Sequence, residues 1–215
     1  LMEDIQKISE SNSKTLAHPI TLGVIPTISP FLLPHAIQTL EKKFPDLNLI
    51  ISEGQSDDLI HKVKNGELDM AVVALPYKLQ GLIPIKFWSE DFFWITKKSD
   101  RRSKAKEIKA SDLEFSELLL LEDGNCLKDH VLSACKMTKK KSNISFKASS
   151  LNTLVQFVKS GLGTTLVPKM AVNQLMLGNN DLKSLHLKGE GPHRAIALII
   201  RPSYGGIQDA KLLVL

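Results

Sequence analysis

Residues 20–25 read ITLGVI, residues 47–52 read LNLIIS, and residues 69–75 read DMAVVAL. Each run is short, dominated by aliphatic and β-branched side chains, and bounded by segments that contain proline, glycine or charged residues. Such runs are typical of strands, and because they are nearly continuous rather than alternating, they favour strands covered on both faces. We therefore predict three buried strands in the first third of the chain.

Two helical patterns separate these strands. The first is opened by Pro34 and ended by Pro45, and the second covers residues 57–64 and is closed by Gly66. The apolar side chains of the first pattern recur on one face: Leu33, Ile37, Leu40 and Phe44. The β-α-β-α-β order predicts an α/β fold built on a mostly parallel sheet with helices on both faces.

A second α/β unit follows along the chain. Its pattern predicts strands at 92–96, 144–148 and 164–167, and helices at 127–136 and 151–160. A strong apolar strand and a helix then end the sequence, and we expect them to complete the first unit. Two α/β subdomains of this kind leave a cleft between them, where small ligands usually bind.

These patterns divide the chain into three parts. Residues 1–18 are predicted to be a helical end followed by a linker. Residues 19–89 together with 196–215 form the first predicted subdomain, and residues 90–195 form the second. Both cysteines fall in the second subdomain.

The composition is that of an ordinary globular chain: of 215 residues, 43% are hydrophobic and 24% are charged. Apolar runs such as residues 195–200 are far too short to span a bilayer, and no secretory signal opens the chain. The net charge of +5 is scattered, and its densest cluster, Lys139–Lys141, is interpreted as a solvated turn or a contact for a phosphate or acidic partner. Direct nucleic-acid binding by this cluster is not expected, since the sequence has no zinc-finger spacing, basic heptad region or RNP-like aromatic motif.

The chain has two cysteines, Cys126 and Cys135. Two thiols without a secretory signal favour a reducing, cytoplasmic compartment, where a permanent structural disulfide is not the default. Their spacing is not a zinc pattern, and no histidine pair completes one, so we expect no metal. No hydrolase, zinc-protease, P-loop or dinucleotide motif is present, so we expect no cofactor.

Cys126 is the candidate nucleophile. A predicted strand runs into a turn, and Asn125 is a good N-cap, which places Cys126 in the first turn of a helix. Unpaired N–H groups and the positive end of the helix dipole favour a thiolate there. Lys128 and His130 add positive or polarisable groups, whereas Asp129 would raise the pKa of the thiol if it lay close.

The spacing of the two cysteines carries a geometric consequence. If both lie on one straight helix, nine steps of about 1.5 Å separate their α-carbons by roughly 13 Å, whereas a disulfide needs them within about 7 Å. Closing a loop of this size is worth about 2.5–3 kcal/mol, which is comparable to the marginal stability of a short helix. A Cys126–Cys135 disulfide would therefore require the segment to unwind, as a conformational switch does. The alternative is that each cysteine is a small buried hydrophobic residue, which local sequence favours for Cys135.

The residues around Cys126 carry a resemblance to a known family. The stretch LLEDGNCLKD at residues 120–129, with Cys135 in place, closely resembles the hydrogen-peroxide-sensing branch of the LysR-type transcription regulators. The resemblance spans nearly the whole chain. Landmarks typical of LysR-type regulators at large lie at residues 20–27, 30–34, 44–47, 66–69, 149–154 and 161–168.

The resemblance implies a fold and a set of partners. The chain would be a periplasmic-binding-protein-like effector domain of two Rossmann-like subdomains, without the N-terminal winged helix-turn-helix that binds DNA. It would act as a homo-oligomer, with dimers of regulatory domains and tetramers of the intact protein on DNA. Oxidation would form the disulfide and recruit RNA polymerase, and a thiol reductant such as glutaredoxin would reset the switch. No membrane contact and no enzymatic turnover are implied.

The resemblance also implies roles for individual residues. Cys126 corresponds to the peroxidatic cysteine and Cys135 to the resolving cysteine. Five other residues would surround the peroxide: Thr27, Ser56, Asn125, Asp129 and Arg194. Ser56 stands where the family commonly has threonine and Asn125 where close relatives can have histidine, which leaves the chemistry feasible but alters the groups that can exchange protons.

Three hypotheses follow. The favoured one is a redox-switched domain of a transcription regulator, in which peroxide converts Cys126 to a sulfenic acid that condenses with Cys135. The second is a LysR-type domain that binds a small organic effector in the cleft and has inert cysteines. The third is a thiol peroxidase, which would differ from the first by rapid multiple turnover with a reductant.

Overall fold

The computed structural model describes residue 16 and residues 18–137, 148–189 and 191–214. Three predictions fall largely or wholly outside the described residues: the linker at 1–18, the cluster Lys139–Lys141, and the strand at 144–148. Among the described residues, no helix is long and apolar enough to cross a membrane.

The described chain contains both strands and α-helices. They are, in order, β1 (Ile20–Val24), α1 (Ser29–Lys43), β2 (Leu49–Glu53), α2 (Ser56–Asn65), β3 (Met70–Leu75), β4 (Ile83–Glu90), β5 (Phe92–Lys97), β6 (Glu107–Lys109), α3 (Cys126–Ala134), α4 (Leu151–Lys159), β7 (Thr165–Pro168), α5 (Lys169–Met176), β8 (Leu182–Lys188), β9 (Arg194–Ile200) and α6 (Ile207–Leu212). The predicted α/β class is confirmed.

The chain divides into two compact units. Unit 1 contains the described residues up to Trp88 and those from Ala195 onward, and unit 2 contains Ser89–Arg194. The chain therefore passes from one unit to the other twice, near the end of β4 and at the start of β9.

Unit 1 is built on a five-stranded sheet in the order β2-β1-β3-β9-β4. β1 pairs with β2 and β3 in parallel, as the β-α-β-α-β pattern predicts, whereas β9 pairs with β3 in the antiparallel direction. Every residue of β3 is buried, and this strand is the central one of the sheet. The antiparallel β9 was not predicted, since apolar content alone does not reveal strand direction.

Helix α1 begins earlier than its sequence pattern indicates. The pattern placed its start at Pro34, but the helix begins at Ser29 and contains Pro34. Pro30 at the start of the helix has a suitable fixed φ, and Pro34, whose ring is exposed, removes one helical hydrogen bond to a carbonyl of the first turn. The correction moves the helix start to within two residues of Thr27.

Helix α2 packs closely against β1. Leu59, Ile60 and Val63 are fully buried on its inner face, and burial of each such side chain contributes roughly 2 kcal/mol. A Cβ added at Gly23 in β1 would lie 2.6 Å from a methyl carbon of Leu59. A glycine is therefore needed in β1 for α2 to approach the sheet this closely.

Unit 2 is built on a four-stranded sheet in the order β6-β8-β5-β7. β5 pairs with both β7 and β8 in the antiparallel direction, and β6 pairs with β8 in parallel. Leu118 forms an isolated bridge with Thr164, and Leu121 forms one with Ala148. These bridges hold the segment that leads into α3.

Candidate functional site

Cys126 is the first residue of α3 and is 4% exposed. Gly124 precedes it in the left-handed conformation, with φ 94, which lets the chain turn sharply into the helix. Asn125 has extended dihedral angles and is the N-cap residue, as the sequence predicts. The thiol therefore lies beside the first-turn amides of the helix, where a negative charge is stabilised.

The Asn125 side chain does not cap α3. Its amide nitrogen donates to the backbone carbonyl of Glu122 at 3.4 Å, and its side chain accepts no hydrogen bond from the helix. The backbone carbonyl of Asn125 instead accepts from the Lys128 N–H at 3.1 Å. The side-chain oxygen of Asn125 therefore does not occupy the first-turn N–H groups next to Cys126.

Two charged side chains near the start of α3 form an ion pair, and a third is exposed. Lys128 forms a 2.8 Å ion pair with Asp123, whose side chain is 85% exposed. Asp129 lies in the first turn and is exposed. The positive charge of Lys128 is thus shared with a solvated carboxylate, and the helix terminus adds positive potential at Cys126.

Cys135 is the C-cap residue of α3 and is 6% exposed. Its N–H donates to the Val131 carbonyl at 3.0 Å. Burial raises the pKa of the Cys135 thiol to about 11. At neutral pH this side chain is a thiol, so it is poorly suited to attack peroxide and suited only to reacting with an electrophilic sulfur brought to it.

A Schellman motif ends α3 just after Cys135. The Met137 N–H donates to Leu132 O, and the Lys136 N–H donates to Ser133 O, both at 2.9 Å. The left-handed position of the motif, usually a glycine, is occupied by Lys136 with φ 52. A residue with a Cβ costs roughly 1–2 kcal/mol there, so α3 ends at a strained residue.

The two thiols lie at opposite ends of α3, and neither is in a disulfide. Nine helical steps separate them by roughly 13 Å along the axis and by about half a turn around it. The two side chains therefore lie on opposite sides of the helix axis as well as at different positions along it. Bringing the sulfurs together requires α3 to unwind over most of its length.

Thr27 and Ser56 occupy matching positions in unit 1. Each lies three residues after the end of a strand, β1 for Thr27 and β2 for Ser56, and these strands are parallel neighbours. Both side chains are buried, at 4% and 1% exposure. The two hydroxyls thus follow the carboxyl edge of one sheet, the edge where α/β proteins bind ligands.

The Ser56 hydroxyl is an unsatisfied group. Its oxygen is buried and has no hydrogen-bond partner among the described residues. Buried hydroxyls normally have a partner, and leaving one without a partner costs about 1–3 kcal/mol. The sequence could not reveal this feature, because serine is also an ordinary residue at the start of a helix.

Arg194 is held in unit 2 by a buried ion pair. Its Nε and Nη2 donate to Glu90 Oε1 at 2.8 and 2.7 Å, and both side chains are almost fully buried. The other oxygen of Glu90 accepts the N–H of Met170 at 2.8 Å. The family resemblance pointed to Arg194, but nothing in the sequence pointed to Glu90, since a carboxylate next to a predicted strand gives no signal of burial.

The predicted site residues fall into three groups. Asn125, Cys126 and Asp129 are brought together at the start of α3, with Cys135 at its other end. Thr27 and Ser56 follow one sheet edge in unit 1, and Arg194 pairs with Glu90 in unit 2. Within the described ranges no group of histidine, cysteine, aspartate and glutamate side chains could hold a metal ion.

Comparison with protein families and curated relatives gives consistent matches. The model of the LysR substrate binding domain matches residues 13–213. The HTH-type transcriptional regulator EstR of Acinetobacter baylyi is 39% identical over 94% of this chain and 66% of its own length. The DNA-binding transcriptional dual regulator OxyR of Escherichia coli is 30% identical over 92% of this chain and 65% of its own. The chain thus spans about two thirds of these relatives.

Solved structures add the same likeness in three dimensions. The reduced regulatory domain of OxyR2 from Vibrio vulnificus has a TM-score of 0.85 and 35% identity, over 94% of each chain. A hydrogen-peroxide-bound mutant of OxyR from Corynebacterium glutamicum has a TM-score of 0.88 and 29% identity, over 99% of this chain and 68% of that one.

Proposed function

Because the chain belongs to the family of LysR substrate-binding domains, we propose that it is the regulatory domain of a transcription regulator and that hydrogen peroxide switches it through Cys126 and Cys135. One observation carries the proposal: the two cysteines lie at opposite ends of one nine-residue helix, one at the helix N-terminus and one buried at its end. Relatives described as hydrogen peroxide-inducible genes activators support it.

The first step is oxidation of Cys126. Its thiolate attacks one oxygen of hydrogen peroxide, the O–O bond breaks, and a sulfenic acid and hydroxide are formed. Thr27, Ser56 and Asn125 are assigned to orienting the peroxide by hydrogen bonds. Arg194 is assigned to stabilising the leaving negative charge, and Asp129 to adjusting the charge near the thiol.

The second step is disulfide formation. The Cys135 thiol attacks the sulfenic sulfur, a sulfur–sulfur bond forms, and water leaves. Since the α-carbons are roughly 13 Å apart in α3, this step requires the helix to unwind. The loop-closure term of about 2.5–3 kcal/mol is comparable to the stability of a nine-residue helix. The segment is therefore poised between two states, and a cellular dithiol such as glutaredoxin would return it to the helical one.

The remaining parts of the proposal concern the whole protein. A preceding winged helix-turn-helix would bind DNA, and the regulatory domains would pair so that the intact protein is a tetramer. Refolding of α3 would change how the subunits associate and thereby the recruitment of RNA polymerase. Relatives of this chain are described as DNA-binding or HTH-type transcriptional regulators, which favours regulation over a thiol peroxidase activity.

The decisive experiment is peroxide treatment followed by mass spectrometry. We expect one equivalent of hydrogen peroxide to give an intramolecular Cys126–Cys135 disulfide. The Cys135→Ser variant should stop at a sulfenic acid that dimedone traps, and Cys126→Ser should not react at low peroxide. Both substitutions replace sulfur by oxygen at buried sites, so each controls for the packing effect of the other. Absence of the disulfide in the unsubstituted protein contradicts the sensor.

A second candidate function is recognition of a small organic effector. EstR, whose name does not mention peroxide, is 39% identical to this chain, whereas E. coli OxyR is 30% identical. Burial of both thiols is also what inert cysteines would show. Under this alternative the Cys126→Ser and Cys135→Ser variants would respond normally in the intact regulator, and peroxide would have no effect on it.

A further inference from the structure

We propose that His130 is the proton partner of the Cys126 thiol: it accepts the thiol proton before attack and returns it to the oxygen that leaves. The inference rests on the proposed peroxide chemistry and adds a residue to it. His130 lies four residues after Cys126 in α3, slightly more than one helical turn away. No metal, cofactor or further reactant is needed.

The geometry of α3 places the two side chains on one face. Residues four apart on a helix have Cβ atoms about 5–6 Å apart. Side chains on a helix also lean toward its N-terminus, so the imidazole of His130 leans toward Cys126. Both residues belong to the buried face of α3, with 4% exposure each.

Burial makes this pairing significant. A histidine on the inner face of a helix is an unusual choice, since a leucine or methionine would fill the same space without a polar group. The neighbours of His130 on that face, Leu127 and Val131, are apolar and buried. In a poorly solvated setting, a proton shared with a thiol has a larger effect on reactivity than it has in water.

The charged groups around this face are few among the described residues. On α3 itself they are Lys128, which is paired with Asp123, and the exposed Asp129. Glu122 lies in the preceding turn. A small cavity of about 10 Å³ lies under the adjoining face of α3, to which Leu127, Lys128 and Val131 contribute. Its other lining side chains are uncharged: Leu119, Leu120, Leu121, Leu154, Thr165 and Leu166. His130 is thus a titratable group that shares the buried face of α3 with Cys126.

The proton balance of the step is complete. The thiol gives its proton to a ring nitrogen of His130, which leaves a thiolate and an imidazolium. The thiolate forms a bond to one peroxide oxygen as the O–O bond breaks. The imidazolium then protonates the departing hydroxide, so a sulfenic acid and one water are produced and the imidazole is neutral again.

The kinetic test is the pH profile of Cys126 oxidation. The variant is His130→Gln, which keeps a polar side chain of similar length but cannot carry the proton, and the matched control is His61→Gln on the exposed face of α2. We expect His130→Gln to slow sulfenic acid formation about 100-fold at pH 7 and to remove the inflection that imidazole titration gives the profile. The His61→Gln variant should behave as the unsubstituted protein. A His130→Gln rate within twofold of the unsubstituted rate, with an unchanged profile, overturns the proposal.

A second measurement does not depend on peroxide. The ring of His130 is titrated by NMR in the unsubstituted protein and in Cys126→Ser. If the two groups share a proton, removing the thiol lowers the midpoint of the ring's titration, because the imidazolium loses an anionic partner. Equal midpoints overturn the inference even if His130→Gln does not fold. Failure of the unsubstituted protein to form any sulfenic acid would instead refute the sensor, while the NMR result would still decide the pairing.

Discussion

Replacing Lys136 by glycine should make the proposed disulfide harder to form. Lys136 occupies the left-handed position of the Schellman motif that ends α3, with φ 52. A side chain there costs roughly 1–2 kcal/mol that glycine does not incur. If α3 unwinds on oxidation, that strain is present only in the dithiol form. Lys136→Gly therefore stabilises the dithiol form by about 1 kcal/mol, which corresponds to about 20 mV for a two-electron couple.

The assay is a redox titration in glutathione buffers, with the disulfide fraction measured after alkylation. We expect the reduction potential of Lys136→Gly to rise by about 20 mV. Lys136→Ala removes the charge but keeps a Cβ at positive φ, so its potential should not rise. Gln80→Gly is the second control, because Gln80 has φ 51 but lies in unit 1; it should raise thermal stability without changing the potential. A stabilised Lys136→Gly variant with an unchanged potential would refute the idea that oxidation dismantles the end of α3.

Three further predictions concern the buried polar groups. Glu90→Gln leaves the Arg194 charge without its buried counter-ion, so the free energy of unfolding in urea should fall by about 3 kcal/mol, and adding Arg194→Met should restore much of it; a loss below about 1 kcal/mol would mean that the pair is solvated. The pKa of the Cys135 thiol is raised to about 11 from an ordinary 9.0, so the folded state retains a proton that the unfolded state loses. The free energy of unfolding should therefore fall as pH rises from 9 to 11, by up to about 3 kcal/mol relative to Cys135→Ala. Identical pH profiles of the two proteins would contradict the burial of this thiol. Ser56→Ala removes a buried hydroxyl without a partner, so it should leave thermal stability unchanged or slightly raised while slowing Cys126 oxidation about tenfold; an unchanged rate would remove Ser56 from the peroxide site.

Much of the fold could be predicted because its signals are local. The apolar runs of β1, β2 and β3 and the glycine that closes α2 are visible in the sequence, and the structure has these elements where the patterns indicate them. The prediction that all three strands are buried is wrong for β2, an edge strand none of whose residues is buried. β4 was not predicted, because most of its residues are partly or fully exposed and Trp88 is 54% exposed. The direction of β9 depends on its partner β3, which is more than a hundred residues away in the chain.

In the candidate site, too, local features could be predicted from the sequence and contacts between distant residues could not. The position of Cys126 at a helix N-terminus follows from the turn and N-cap residues just before it, so local sequence suffices. The partner of Arg194 does not, because Glu90 lies 104 residues earlier and only the folded sheet brings them together. The lack of a hydrogen-bond partner for the Ser56 hydroxyl among the described residues likewise depends on the folded surroundings and not on the local sequence. Whether Cys126 reacts with peroxide stays a prediction.

The placement of the two thiols at opposite ends of α3 limits the range of peroxide concentrations over which the proposed switch would work. A sulfenic acid formed at Cys126 would have to wait for the helix to unwind before Cys135 could reach it. During that interval a second peroxide could convert it to a sulfinic acid, which the disulfide pathway cannot reverse. The unwinding rate of nine residues would thus set the peroxide concentration above which the sensor is inactivated rather than switched. A more stable α3 would lower this peroxide concentration, and a less stable α3 would raise it.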